Sequence, residues 1–600
     1  MYIARLQIKN FRGVKSGELL FNRHVALVGD NNSGKSTVLE AIDLVLGPER
    51  LARRPVVDEH DFYAGEYKAE NETPIEIIIE VLIADLTEEQ CRRFHDHLEF
   101  WDSETYNLQS SPPPENTEKE SVLPALRVGF KGYYDMEEDD FSGETFFFSP
   151  QNEDGTWNPF STRDKRECGF LFLRTLRTGS RALSLERGSL LDIILKLQEK
   201  RLQMWEDVLS QLKNVPVAEN PELGIKDTLE QIQEKLHSIV PTDWANNPRI
   251  KVSDLTREHL RRTLTVFMDT GVQKSDGTEY AAPFQHQGTG TINTLVLSLL
   301  AMIAELKENV IFAMEEPEIA IPPHTQKRIV ESVQENSTQA IFTSHSPYIL
   351  EEFSPEEMII LQRNDGELSG KACSLPPNVK LKSYKEEFRR RFCEALLARR
   401  VLIAEGRTEY DAWSVAAKKL NKFKPKKYKT LSNLGVAVIN AETDSQIASL
   451  GEFFKSLDKD VFAVFDHQSD ENKEKIIASG VIAFEAQHKG FEDVIIEQAS
   501  EDALRRFAKW VSKPSEWPDH LKELKPAEND ELENIKKSLR KYFRWGKGSG
   551  TAAKFISQCK KASEIPIFIR KTLASIASSI IAEPSPESDS PKRNNSTNPE

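Results

Sequence analysis

Apolar residues recur in a strand-like way from Met1 to Arg12, at Ile3, Leu6 and Ile8, and a second strand is predicted over His24 to Val28. That strand runs straight into Gly29, after which the spacing of Leu39, Ile42 and Leu46 predicts a helix. Ile75 to Ile83 is mostly β-branched and apolar, the pattern of a strand buried on both faces. From about Asp102 to Trp157 the chain turns to Ser, Pro, Asn and acidic residues, with breaks at Ser111 to Pro114 and Met136 to Asp140, and loops with edge strands are expected there. Between Leu190 and Ile239 helical spacing returns at Leu191, Ile194, Leu195 and Leu197, then at Leu229, Ile232, Leu236 and Ile239. This predicts two long helices around a Pro-containing turn near Val215 to Pro221, serving either as core or as a protruding arm for self-association.

Downstream, helices are predicted over Gln287 to Leu306 and Thr325 to Glu335, and buried strands over Val310 to Met314 and Gln339 to Thr343. A second alternating series follows: strands at Val401 to Ala404, Val436 to Ile439, Val461 to Phe465 and Val481 to Phe484, with a helix over Glu409 to Leu420. The fold class expected is therefore α/β, a head domain with a helical insertion followed by a small doubly wound domain. The boundaries expected are residues 1–185 and 246–395 for the two parts of the head, 186–245 for the insertion, 396–582 for the second domain and 583–600 for a tail. That tail is rich in Pro, Ser, Asn and charge without an aromatic residue, so disorder is expected of it.

Composition adds limits. At 600 residues the chain exceeds one hydrophobic core. A net charge of −16 argues against a protein that coats nucleic acid over its whole surface and confines any such contact to a local groove. The five cysteines show no CxxC spacing, which favours a reducing cytoplasm over a disulfide framework or a zinc site. No apolar run approaches the ~18 residues of a membrane span, and no signal segment opens the chain, so neither secretion nor membrane insertion is expected.

The chemistry begins with Gly29-Asp30-Asn31-Asn32-Ser33-Gly34-Lys35-Ser36-Thr37, a GxxxxGK[ST] phosphate loop between a predicted strand and a predicted helix. Its glycines let backbone N–H groups curl around phosphates, Lys35 reaches the outer phosphates and the Ser36 hydroxyl ligates Mg²⁺. The strand Val310 to Met314 delivers Glu315 and Glu316 to its carboxyl end, the first for the Mg²⁺ shell and the second to orient or deprotonate the attacking water. An acidic helix cap is the alternative reading of that pair. Gln287-Gly288-Thr289-Gly290-Thr291 opens a helix with a glycine-rich turn, either a plain helix start or a set of N–H groups offered to a partner's γ-phosphate. His345 follows a buried strand and is placed to sense a γ-phosphate. The order of these pieces, together with Ile8-Lys9-Asn10-Phe11-Arg12-Gly13, resembles the ABC/SMC and RecF-like ATPases, a resemblance that implies ATP-dependent head-to-head pairing.

In the second series Glu405-Gly406-Arg407-Thr408-Glu409 follows one strand and Asp466 another. Carboxylates at the ends of parallel strands share one crevice and repel unless divalent cations lie between them. The pattern resembles the Toprim domain, and an SMC-like ATPase followed by Toprim resembles the OLD (overcoming lysogenization defect) family nucleases, among them the Gabija nuclease subunit. The resemblance covers residues 1 to about 570 and implies two Mg²⁺ or Mn²⁺ ions held by carboxylates matched by Glu405, Glu409 and Asp466, with cleavage of DNA, or of RNA by the same site. It also implies dimers or tetramers formed through the ATPase, a separate helicase or effector alongside, and anti-phage defence. The chain departs from the Asp-x-Asp element at Asp466-His467-Gln468-Ser469-Asp470, leaving Asp470 or Glu492 to complete a site. The late lysine element is matched by Lys547 first and Lys554 second, each with an ordinary exposed lysine as its alternative. Arg389 to Arg391 with Arg399-Arg400 form the densest basic cluster, either a phosphate-backbone contact or a solvated helix face.

Overall fold

The structure is a computed structural model. It describes residues 1–581 except 49, 53–54, 70–72, 110, 113–120, 174–182, 187–188, 214–224, 241–255, 307–308, 319–321, 375–386, 514–515 and 528. The turn expected near Val215 to Pro221, the break at Pro113 and Pro114, and the expected tail lie outside the described residues. Two compact units form, the first from residues up to Phe353 with Leu361–Gly370, the second from Lys371 onward; Val28–Asn31 and Ser354–Ile360 group with the second.

The first unit is built on a large mixed sheet. Its strands begin with β1 (Tyr2–Phe11), β2 (Val14–Leu20), β3 (His24–Val28), β4 (Ile77–Ala84), β5 (Leu98–Asp102), β6 (Asn107–Gln109), β7 (Val122–Asp135), β8 (Asp140–Gln151), β9 (Trp157–Pro159) and β10 (Phe170–Leu173). The hairpin β11 (Phe267–Gln273) and β12 (Glu279–Pro283) stands apart as its own two-stranded sheet. β13 (Ile311–Glu315), β14 (Gln339–Thr343), β15 (Met358–Asn364) and β16 (Glu367–Ala372) complete the large sheet, in the order β10-β13-β14-β3-β15-β16-β2-β1-β4-β7-β5-β6 with β8 and β9 beyond β7. β10, β13, β14 and β3 run parallel, and β2, β1, β4 and β7 antiparallel.

The parallel strands are apolar because both faces are covered. β13, Ile-Phe-Ala-Met-Glu, is buried up to its last residue, and β14 is buried throughout. Gln339 opens β14 fully buried and fully used: its amide accepts from Ile3 N at 2.8 Å and donates to Ile3 O at 2.9 Å and Asn22 O at 2.8 Å. A buried amide that satisfies an otherwise unpaired backbone edge stabilises the fold, whereas its loss would orphan those groups.

The segment expected as loops and edge strands instead contains the long hairpin β7 and β8, paired from Asp135–Asp140 to Val128–Phe147. Local polar composition is overridden by packing. Val128, Phe130, Phe146 and Phe147 are buried, and Phe146 stacks on Trp157 at 4.2 Å between ring centroids. The expected pair of long insertion helices is also corrected: the helices are Leu190–Leu197, Arg201–Lys213 and Ile225–His237. Glu199, with φ of 59°, breaks the first, since a left-handed residue cannot continue a right-handed helix. Among the described residues no helix is long and apolar enough to cross a membrane, and the five cysteines form no disulfide.

Lys165 is an unusual member of this core. Its side chain is 1% exposed, its Nζ has no hydrogen-bond partner, and burial pushes its pKa down to about 8, partly offset by the charge of Asp43. Because its folded pKa lies below the unfolded value of 10.5, the unfolded chain binds more protons between these values, and stability rises with pH across about pH 8 to 10.5. Below pH 8 the cost of burying the charge is fully present. Lys165→Met is therefore expected to raise stability at pH 7 by roughly 1–3 kcal/mol and to flatten that alkaline rise, as thermal melts at pH 7, 8.5 and 10 would record. An unchanged or lowered melting temperature at pH 7 would show that the ammonium is compensated.

The second unit carries a parallel four-stranded sheet, β17 (Arg400–Ala404), β18 (Val436–Asn440), β19 (Asp460–Phe465) and β20 (Ile482–Glu485), in the order β18-β17-β19-β20. Leu402, Ala404, Phe462 and Val464 pack into one core with Trp413, Leu420, Phe507, Tyr542 and Phe555. The alternate residues Val401, Ile403, Val461 and Ala463 are equally buried, and the helix Asp444–Ser456 packs on β17 and β19. Chain order moves outward from β17 to β18 and then crosses to β19. The ends of β17 and β19 thus form the topological switch point, where open parallel sheets place their crevice.

Candidate active sites

In the first unit, Gly34 ends the phosphate loop at φ of 98°, a left-handed conformation that favours glycine, and the helix Lys35–Leu46 starts at the next residue. Lys35 is buried at that first position, and Ser36 donates a short hydrogen bond to Glu315 Oε1 at the end of β13. Register explains the meeting: Glu315 pairs with Thr343 on β14, and Thr343 with Leu27 on β3, the strand that feeds the loop. Three parallel neighbours therefore deliver their carboxyl ends to one place.

Glu316 leaves the strand with φ of 46°, held by its N–H to Thr343 O at 2.9 Å, and His345 Nε2 lies 3.8 Å from its Oε1. A non-glycine residue in this region costs about 1–3 kcal/mol and is found where function fixes the chain. Glu318, two residues further on, anchors the other side by accepting the His345 N–H at 2.7 Å. Burial raises its carboxyl pKa against that bond. In the glycine-rich turn Gly288 is exposed, precedes the helix Thr289–Leu306, which contains Gly290, and accepts Ile292 N–H at 3.1 Å. No other bond of Gly288 ties it to Glu316 or His345 within one chain.

In the second unit, Glu405 follows β17 and Asp466 follows β19. The two strands are in register from Arg400 with Asp460 to Ala404 with Val464. The N–H of Asp466 donates to Glu405 Oε2 at 3.0 Å, and one side-chain amide, that of Gln468, reaches both Glu405 Oε2 and Asp466 Oδ1, so the two carboxylates share one crevice. Glu409 stands one turn into the helix Arg407–Phe423, and Glu492 sits in the first turn of the helix Phe491–Gln498 with Oε1 buried and without a hydrogen-bond partner. Burial pushes Glu405 up to about 7, with the charges of Asp466 and Glu409 adding to it. Burial likewise pushes Glu409 up to about 7, with Glu492 and Asp466 raising it and Lys547 pulling it down. Buried carboxylates that oppose one another's ionisation form an oxygen donor set suited to a hard divalent cation. Among the described residues no three acidic, His or Cys side chains are closed to coordination distance.

Lys547 is exposed after the helix Leu532–Trp545 and its charge lowers the Glu409 pKa, and Lys554 is exposed on the helix Thr551–Gln558. Asp470 is exposed in the first turn of the helix Asp470–Ala478, where its charge acts on Lys473. The position of the second aspartate is taken by Gln468, whose amide bridges Glu405 and Asp466. In the basic cluster, Arg391 lies 4.0 Å from the Tyr410 ring centroid and Arg400 pairs with Asp460 at 3.0 Å. Both are engaged within their own unit.

Gly406 shows how tightly the acidic turn is drawn. Its φ is ordinary, but an added Cβ would lie 2.8 Å from Glu409 Oε2. Gly406→Ala is expected to keep the fold and displace the Glu409 carboxylate, lowering Mn²⁺ affinity by about 10-fold. Calorimetric titration beside a thermal melt checks this, and unchanged affinity would remove Glu409 from the binding set.

A phosphate loop with an adjacent acidic strand end, followed by a parallel domain with carboxylates at its switch point, defines a P-loop ATPase joined to a Toprim-like domain. Residues 25–351 match the family described as AAA domain, putative AbiEii toxin, Type IV TA system, and residues 396–467 match the overcoming lysogenization defect protein-like TOPRIM domain. The chain belongs to the first family and, with the second domain, is an OLD-family ATPase–Toprim protein. It is 24% identical to the OLD nuclease of Thermus scotoductus over 60% of this chain and 62% of that one. It is 20% identical to the Old nuclease of Escherichia phage P2 over 70% of each. The match therefore spans less than two thirds of the Thermus protein. Among solved structures, the C-terminal region of the Burkholderia pseudomallei OLD protein aligns at 14% identity over 30% of this chain and 98% of that one, with a TM-score of 0.24.

Proposed function

We propose that this protein is an ATP-binding and ATP-hydrolysing, metal-dependent endonuclease acting on DNA, with a role in anti-phage defence. The observation that carries the reading is the convergence of Glu405, Glu409, Asp466 and Glu492 at the switch point, with Lys547 beside them. Glu405, Glu409 and Glu492 would hold Mg²⁺ or Mn²⁺, which when bound activates water and neutralises phosphate charge. Lys547 would steady the non-bridging phosphate oxygens. In the ATPase, Lys35 and Ser36 bind the nucleotide phosphates and Mg²⁺, Glu315 supports that ion, and Glu316 takes the proton of the attacking water while His345 orients it.

The glycine-rich turn, with Gly288 exposed, suits a γ-phosphate in a partner head, so the ATPase pairs with a second copy. Ile232, Leu236 and Ile239 are exposed along and just beyond the helix Ile225–His237, which extends the same self-association.

Incubation with supercoiled DNA and Mg²⁺ or Mn²⁺, with and without ATP, tests the reading. Metal-dependent nicking that disappears in Glu405→Ala is expected. A second reading, an ATP-driven sensor that controls a separate effector without cutting, is favoured by Gln468 in place of an aspartate. It gains if neither DNA nor RNA is cut while Lys35-dependent ATP hydrolysis persists.

A further inference from the structure

Gln468 lies two residues beyond Asp466, in the stretch between β19 and the helix Asp470–Ala478. Its Nε2 donates to Glu405 Oε2 at 3.1 Å and to Asp466 Oδ1 at 2.9 Å. Asp466 N–H reaches the same Glu405 oxygen at 3.0 Å. The residue is held from behind as well, because its own N–H donates to Glu485 Oε1 at 3.3 Å. That carboxylate is fixed at the end of β20 by His467 Nδ1 at 2.9 Å and Lys473 Nζ at 2.6 Å. The amide is thus anchored on both sides rather than loosely placed.

An amide NH₂ and a divalent cation compete for the same thing, the lone pairs of two facing carboxylates. Each N–H takes one lone pair at about 2.9 Å and brings no net charge, whereas a cation takes them at about 2.0–2.6 Å and needs further anionic oxygens. A carboxylate at position 468 would bring another charge into the crevice and demand a cation to offset it. The amide relieves the repulsion between Glu405 and Asp466 by hydrogen bonding instead. Oxygens left over for a cation are the second oxygens of Glu405 and Asp466, the Glu409 carboxylate and the unpartnered Oε1 of Glu492.

We propose that Gln468 is a positioning residue that takes the place of one cation, so that the Toprim site of this chain works with a single divalent ion held by Glu405, Glu409 and Glu492. The inference rests on the metal-dependent reading above and narrows it. Asp466 then serves as part of a hydrogen-bonded frame that orients Glu405.

Counting ions in the full-length protein without nucleotide tests it. Mn²⁺ is titrated and free ion followed by electron paramagnetic resonance, with Glu405→Ala as the baseline for other sites and thermal melts to establish folding. Wild type is expected to bind about one Glu405-dependent Mn²⁺ per chain, and Gln468→Asp, or Gln468→Glu if the shorter side chain perturbs folding, about two. Two such ions in wild type, or one in wild type and in both variants, overturns the proposal while leaving a metal-dependent nuclease standing. No Glu405-dependent ion in wild type removes the metal site itself, and the nuclease reading falls with it.

Discussion

Glu316→Gln is expected to lower ATP turnover by about 10²- to 10⁴-fold with little change in ATP affinity. Glu316 emerges from β13 in a left-handed conformation, tied by its N–H to Thr343 O, with its carboxylate beside His345. The amide keeps the shape and removes the proton acceptor, while Lys35, Ser36 and Glu315 are untouched. Phosphate release measured together with binding of a fluorescent ATP analogue separates the two effects. Turnover within about threefold of wild type would move the base elsewhere. If heads pair across bound ATP, as proposed, the variant should also accumulate as a nucleotide-dependent oligomer in size-exclusion chromatography.

The second large effect is at the other crevice. Glu405→Ala is expected to reduce metal-dependent DNA cleavage by at least about 10²-fold and leave ATP turnover within about twofold. Glu405 accepts from both Asp466 N and Gln468 Nε2, so its removal deprives the site of a ligand and the frame of its central acceptor. Gel analysis of supercoiled plasmid and a phosphate assay on the same preparation distinguish local damage from misfolding. Cleavage that survives in the variant would end the assignment of this crevice as the cutting site.

Much of this architecture is legible in the chain because its signals are local. The phosphate loop needs contiguous residues, and the parallel strands β13, β14, β17 and β19 are apolar runs whose burial on both faces leaves an unmistakable pattern. The hairpin β7 and β8 was not legible, because its polar stretches are stabilised by aromatic packing across the sheet. The insertion was read as two helices because its period continues past the break at Glu199, a single left-handed residue that periodicity does not register. At the Toprim-like site the sequence indicated an absent aspartate and two substitutes. Nothing local distinguished a vacant position from one filled by an amide, and the signal that was available, Gln at the second place after Asp466, says nothing of where its nitrogen points.

By itself, then, the order of residues determined which motifs exist and which strand ends carry charge, since both depend on neighbours along the chain. Tertiary structure alone decided that Glu405 and Asp466 share one N–H···O contact, that the charge of Lys547 acts on Glu409, and that Gln468 bridges two carboxylates. The physical reason is that these interactions span 61 residues between Glu405 and Asp466 and far more between Glu409 and Lys547. They are set by strand register and helix docking, quantities that no short window of sequence contains.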